Sequence, residues 1–89
     1  MQLLHLWLSW VPMPILRRLG SVSVRMYADD HSPPHLHLVA PDFHVLVRLS
    51  DLRVIAGESR RAQIAEALAW VHTHQESLTL RWVELNKRG

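Results

Sequence analysis

HLHLVAPDFHVLVRL, residues 35–49, reads as two strands and the turn between them. Residues 35–39 and 43–49 alternate or run apolar at strand length, and Ala40-Pro41-Asp42 is turn-prone. With Pro41 and Asp42 at the turn centre, Ala40 pairs with Phe43, Leu38 with Val45 and Leu36 with Val47. One face then carries Leu36, Leu38, Phe43, Val45 and Val47. The other carries His35, His37, His44 and Arg48, interrupted by Val39 and Leu46. A one-residue slip would mix histidines with valines, so this register is strongly preferred.

Upstream, SVSVRMY at residues 21–27 alternates strictly. Val22, Val24 and Met26 join the apolar face, while Ser23, Arg25 and Tyr27 extend the polar one. Residues 28–34, ADDHSPP, form a loop whose end is stiffened in extended form, because a residue before proline avoids helix. Downstream, a short fourth strand is weakly indicated at residues 52–55. Ser59 is an N-cap candidate for a helix beginning at Arg60. Ile64, Leu68, Val71, Gln75, Leu78, Trp82 and Leu85 follow steps of four and three, a single seam broken only by Gln75. One helix from 60 to 86 would be roughly 40 Å long, more than the roughly 30 Å width expected of so small a domain. A break near His74-Gln75 is therefore expected. The fold class is α+β: an antiparallel sheet of three to four strands packed on its apolar face against C-terminal helix, one long or two short.

The 89 residues suit one domain, and with no cysteine neither disulfides nor thiolate ligands can support it. Of the ten Lys and Arg, nine are Arg, which favours bidentate contact with phosphate or carboxylate. The +2 net charge permits a nucleic-acid partner without demanding one. MQLLHLWLSWVP at residues 1–12 lacks a basic n-region and a cleavage site, and is too short to span a membrane. It reads as an apolar extension before a domain at 13–89. Its leucines and tryptophans would bury on that domain or between two chains, which suits a homodimer. A cytoplasmic protein is expected.

The histidines concentrate at HSPPHLH, residues 31–37, and three readings of them stand open. In the first, His35, His37 and His44 serve as acid and base, with Arg48 or Arg25 as the fixed charge. Cleaving RNA without metal needs that set, and Tyr27 could stack a base. In the second, His35 and His37 point to one face and His31 or Asp30 closes a metal site, with zinc as the cofactor. In the third, Pro33-Pro34 rigidifies a crossing between strands, and His35 and His37 hydrogen-bond loop carbonyls, Asp29 or Asp30. The polar face then binds a cognate protein and catalyses nothing. Arg60 and Arg61 sit against the helix dipole's preference and are candidate contacts for a phosphate or an acidic partner, the alternative being a solvated face. His72 and His74, two apart on a helix, do not face each other and are given no role.

Met13-Pro14-Ile15-Leu16-Arg17, Gly20, a strand ending in Tyr27 and then Asp30-His31-Ser32-Pro33-Pro34-His35-Leu36-His37 resemble a family of small bacterial proteins, domain of unknown function 4160. Pro33, Pro34, His35 and His37 match its Pro-Pro-His-x-His signature, and Trp82, Glu84 and Asn86 resemble its ending. The resemblance runs from residue 13 to about 86. It implies a gene pair of toxin–antitoxin type, and so a small protein encoded nearby as partner; RNA as target rests on the first reading of the histidines. The chain departs from the pattern in the twelve residues before Met13-Pro14 and in the more apolar hairpin after the signature. The departures suggest a start placed upstream or an added segment, and they weaken any direct transfer of a charged site.

Overall fold

The computed structural model describes residues 15–28 and 30–86. Five strands follow one another in a single antiparallel sheet: β1 (Ile15–Leu19), β2 (Val22–Arg25), β3 (His35–Ala40), β4 (Phe43–Arg48) and β5 (Val54–Ala56). Two helices follow them among the described residues, α1 (Arg61–Thr73) and α2 (Gln75–Leu85), and the fold is α+β.

The β3–β4 hairpin has the register that the alternation predicts. Leu36 lies opposite Val47, Leu38 opposite Val45 and Ala40 opposite Phe43. His35 lies opposite Arg48, His37 opposite Leu46 and Val39 opposite His44 on the second face. β2 adds Val24 opposite Leu38, and Arg25 opposite His37. Val22, Val24, Met26, Leu36, Leu38, Val45, Val47 and Leu49 form one core with Ile64, Ala67, Val71, Leu78 and Trp82 of the helices. Each such large apolar side chain contributes about 1.5–3 kcal/mol on full burial. The core is the sheet's apolar face closed by the helical seam.

Among the described residues the sheet has five strands rather than three or four. β1 escapes an alternation test because Arg17 and Arg18 are adjacent and the register shifts between Ile15 and Arg17. Its mostly exposed, charged residues suit a sheet edge. It turns into β2 through Gly20, at φ 64°. The segment expected at 52–55 pairs instead at Val54–Ala56. Leu52 holds φ 60° in the connecting turn, its N–H donating to the Arg48 carbonyl at 2.7 Å. Gly57, at φ 84°, passes so close to β4 that an added Cβ would stand 2.2 Å from the His44 carbonyl oxygen.

The helical region breaks at His74, between α1 and α2. Gln75 interrupts the apolar seam for a reason: its side-chain amide donates to the carbonyls of Leu49 and Ser50, tying the start of α2 to the end of β4. The N-cap is Arg60, not Ser59. Gln63 accepts the Arg60 backbone N–H at 2.8 Å and donates its own to the Arg60 carbonyl at 2.9 Å, which starts the helix one residue later. The segment 1–12, and with it the expected dimer contact, lies outside the described residues. No helix among the described residues is long and apolar enough to cross a membrane.

Candidate functional site

Two histidines of the signature converge on one carboxylate oxygen. Asp30 Oδ2 lies 3.0 Å from His35 Nε2 and 3.1 Å from His37 Nε2. His37 continues the chain, its Nδ1 lying 2.9 Å from His44 Nε2. The strand pleat accounts for half of this arrangement, since His35 and His37, two apart on β3, share a face. The register accounts for His44, which the hairpin brings onto the same face.

The loop supplies the rest. The Pro33 carbonyl meets His35 Nδ1 at 2.8 Å, and the Pro34 carbonyl accepts the Leu49 N–H at 3.0 Å, fixing the entry to β3. The Ser32–Pro33 peptide is cis. Asn86, capping α2, accepts the Asp30 backbone N–H and donates to the Tyr27 carbonyl at 3.3 Å. The far end of the chain thus seats the aspartate beside the histidines. Tyr27 sets its ring edge-on to His37, with centroids 4.3 Å apart, and Trp82 lies 6.2 Å from the His35 ring. The Trp82 indole N–H is buried without a hydrogen-bond partner among the described residues.

His35 is the most enclosed of the three histidines, at 6% exposure, whereas His44 is exposed. Burial pushes the His37 imidazole below its ordinary pKa of 6.5, and the nearby His35 and His44 act in the same direction. The hydrogen bond and charge of Asp30 oppose this without overcoming it. His37 is therefore neutral near pH 7.

The other residues singled out in the sequence disperse. Arg48 shares the polar face by register, but its guanidinium forks onto Asp51 at 3.0 and 2.7 Å. That pairing raises the Arg48 pKa and holds Asp51 down at about 2. Arg25 is the cross-strand neighbour of His37 and donates to Ser23 Oγ at 2.9 Å. The backbone of Arg60 caps the helix while its side chain is exposed, and Arg61 lines a separate cleft with Asp51, Arg53 and Glu58. His31 is exposed; Asp30 supplies the third donor that a His31, His35, His37 set would have needed. Asp30, offered in the sequence as a metal ligand or a partner of the two histidines, lies against both imidazoles. Asn86 was visible only as part of a family-like ending. An asparagine after a helical seam signals a C-cap, but not the loop it will hold.

Proton positions follow from the partners. A carbonyl only accepts, so His35 Nδ1 carries a hydrogen and donates it to Pro33. His35 Nε2 then presents its lone pair to the Asp30 carboxylate unless a cation, a proton included, stands between them. His37 and His44 share one hydrogen across their 2.9 Å contact, and His44 Nδ1 has no partner among the described residues. The site can hold a positive charge at its buried end and exchange protons at its exposed end.

Fold and site together define a small α+β protein whose sheet carries an aspartate–histidine network on its polar face. The chain belongs to the family described as Domain of unknown function (DUF4160), whose model matches residues 22–83. That span contains β2 to most of α2 and the whole Pro-Pro-His-x-His signature, and leaves out β1 and Asn86. No curated protein and no solved structure matches the chain.

Proposed function

We propose that this protein is the RNA-directed, toxin-like member of a bacterial toxin–antitoxin-type pair, acting through the histidine face of β3 and β4. The observation that carries the reading is the hydrogen-bonded series from Asp30 through His37 to the exposed His44. A carboxylate and a half-buried imidazole there orient a solvent-facing imidazole, an arrangement suited to proton transfer. Tyr27, edge-on to His37, offers a ring for a nucleobase, and Arg25 flanks the same imidazole across the strand pair. Arg48 leaves the proposed catalytic set, because Asp51 occupies its guanidinium. His44 becomes the catalytic residue and His37 a positioning residue.

The test uses the full chain. Its expression alone slows growth, and co-expression with a neighbouring small gene relieves the effect. The purified protein cleaves single-stranded RNA with a bell-shaped pH profile. His44→Ala abolishes cleavage with the fold intact, and His37→Gln changes the pH profile as well as the rate. Absence of both a growth effect and cleavage overturns the reading. The alternative, a module that binds a cognate protein without catalysis, then takes its place, supported by the burial of His35 and the internal use of Asp30.

A further inference from the structure

We propose that Asp30 Oδ2, His35 Nε2 and His37 Nε2 are the three protein ligands of a divalent transition-metal ion, with zinc the best-matched member of that class. The three atoms lie within 4.8 Å of one another, and the carboxylate oxygen is 3.0 and 3.1 Å from the two nitrogens. A tetrahedral ion bound at about 2.0–2.1 Å by nitrogen and oxygen sets its ligand atoms roughly 3.3 Å apart. The two Asp30 distances already suit such an ion, and the two imidazole nitrogens, within 4.8 Å of each other, would close on it.

Proximity alone would not distinguish a metal site from a hydrogen-bonded cluster. The stronger argument lies on the far side of each imidazole. His35 donates its Nδ1 hydrogen to the Pro33 carbonyl, which leaves the Nε2 lone pair aimed at an anionic oxygen inside the protein. Two electron-rich atoms in a site only 6% exposed at His35 call for a cation between them. His37 can likewise donate Nδ1–H to His44 Nε2, 2.9 Å away, and free its own Nε2 for the metal. Both imidazoles thus have the outer partner that orients a metal-ligating histidine, one a carbonyl and one a second imidazole.

The donor set selects the metal. Two imidazole nitrogens and one carboxylate oxygen suit zinc and its first-row neighbours, whereas magnesium and calcium prefer oxygen throughout. Three protein ligands leave a fourth position, the pattern of zinc sites that keep a water or a substrate oxygen. Of the three side chains, that of Asp30 is the most open, at 24% exposure, and solvent reaches the centre beside it. The proposal uses the same face as the RNA-directed reading and supplies the positive charge that Arg48 does not provide. It stands or falls without RNA, because its readout is metal binding.

Tag-free protein is freed of metal with a chelator and titrated with zinc by calorimetry at pH 7.5, with cobalt absorption spectra reporting geometry. One equivalent of zinc is expected to bind saturably, and cobalt to give the intense visible bands of a four-coordinate site. Magnesium at a large excess does not compete. Asp30→Asn and His37→Gln each weaken zinc at least tenfold, His44→Ala weakens it about tenfold through the lost outer contact, and His31→Gln leaves it unchanged. Circular dichroism confirms the fold of each variant, and Asp30→Asn, on the loop, carries the test if the histidine variants unfold. Absence of saturable binding overturns the proposal and leaves a proton between His35 and Asp30. Binding that survives Asp30→Asn and His37→Gln, or that follows His31, overturns it equally. Saturable zinc binding without RNA cleavage or a growth effect sustains the metal site and sinks the RNA reading; RNA cleavage by a protein that binds no zinc does the reverse.

Discussion

Two aspartates hold basic side chains around the polar face, and they do so in opposite surroundings. Asp51 sits in the turn after β4, where it receives both arms of Arg48 and lies 3.8 Å from Arg53. The Arg48 and Asp51 side chains are both about a third exposed, at 35% and 37%. Asp30 meets side chains that are only 7% and 12% exposed, and the helix end fixes its backbone. Water screens the first cluster and weakens its contribution to stability. The second is sheltered, so each unsatisfied nitrogen or oxygen there is costly and each orientation is fixed. Similar chemistry therefore makes a turn clasp in one place and a candidate site in the other.

The difference should be easiest to disturb from beneath His44. Gly57→Ala would place a methyl group 2.2 Å from the His44 carbonyl oxygen and force a side chain into φ 84°. A loss of about 3 kcal/mol or more is expected, from steric overlap added to left-handed strain. Urea unfolding followed by circular dichroism measures it, and a loss below about 1 kcal/mol would mean that β5 yields easily there.

His35→Ala tests the sheltered cluster directly. It removes a buried ring, leaves the Asp30 carboxylate without one of its two imidazoles and opens a void near Trp82. A destabilisation of about 2–4 kcal/mol is expected in the same assay. A cost indistinguishable from that of Arg48→Ala would erase the contrast between the two aspartates.

Asn86→Ala probes how the helix end supports Asp30. It deletes the contacts to the Asp30 N–H and the Tyr27 carbonyl and should cost about 1–2 kcal/mol. Amide exchange should quicken across residues 27–30 while the β3–β4 hairpin keeps its protection. Uniform quickening would show instead that Asn86 serves global stability.

The smallest effect belongs to Asp51. The Arg48 guanidinium holds its carboxyl at about 2, below the ordinary 3.8, so the folded state favours the ionised form. The pair's contribution is fully present above about pH 4 and is lost as pH falls toward 2. Asp51→Asn should therefore show a small stability deficit at neutral pH that closes over that acid range and shrinks with salt. A deficit that persists at pH 2 would point to the neutral hydrogen bonds of the turn.

What could be read locally was read well. The period of two in residues 35–49 allowed only one register, and that register brought His37 and His44 together on the face opposite the core. The helical seam identified Ile64, Val71, Leu78 and Trp82 as core, and its length required the break at His74. β1 was not legible, because paired arginines and a register shift hide its periodicity. The partner of the histidines was not legible either: His31, Asp29 and Asp30 are neighbours in the same loop, and spacing does not choose among them.

By itself, the sequence determined β2 to β4, the helical seam, the hairpin register and the sorting of apolar from polar residues, because these depend on side-chain period over a few neighbouring positions. Tertiary structure alone decided that Asp30 joins His35 and His37, that Arg48 turns aside to Asp51, and that His35 is buried. The first of these runs through Asn86, 56 residues along the chain from Asp30. Contacts at that separation arise only when helix and sheet pack, and no local pattern of residues encodes which loop atom a helix end will meet.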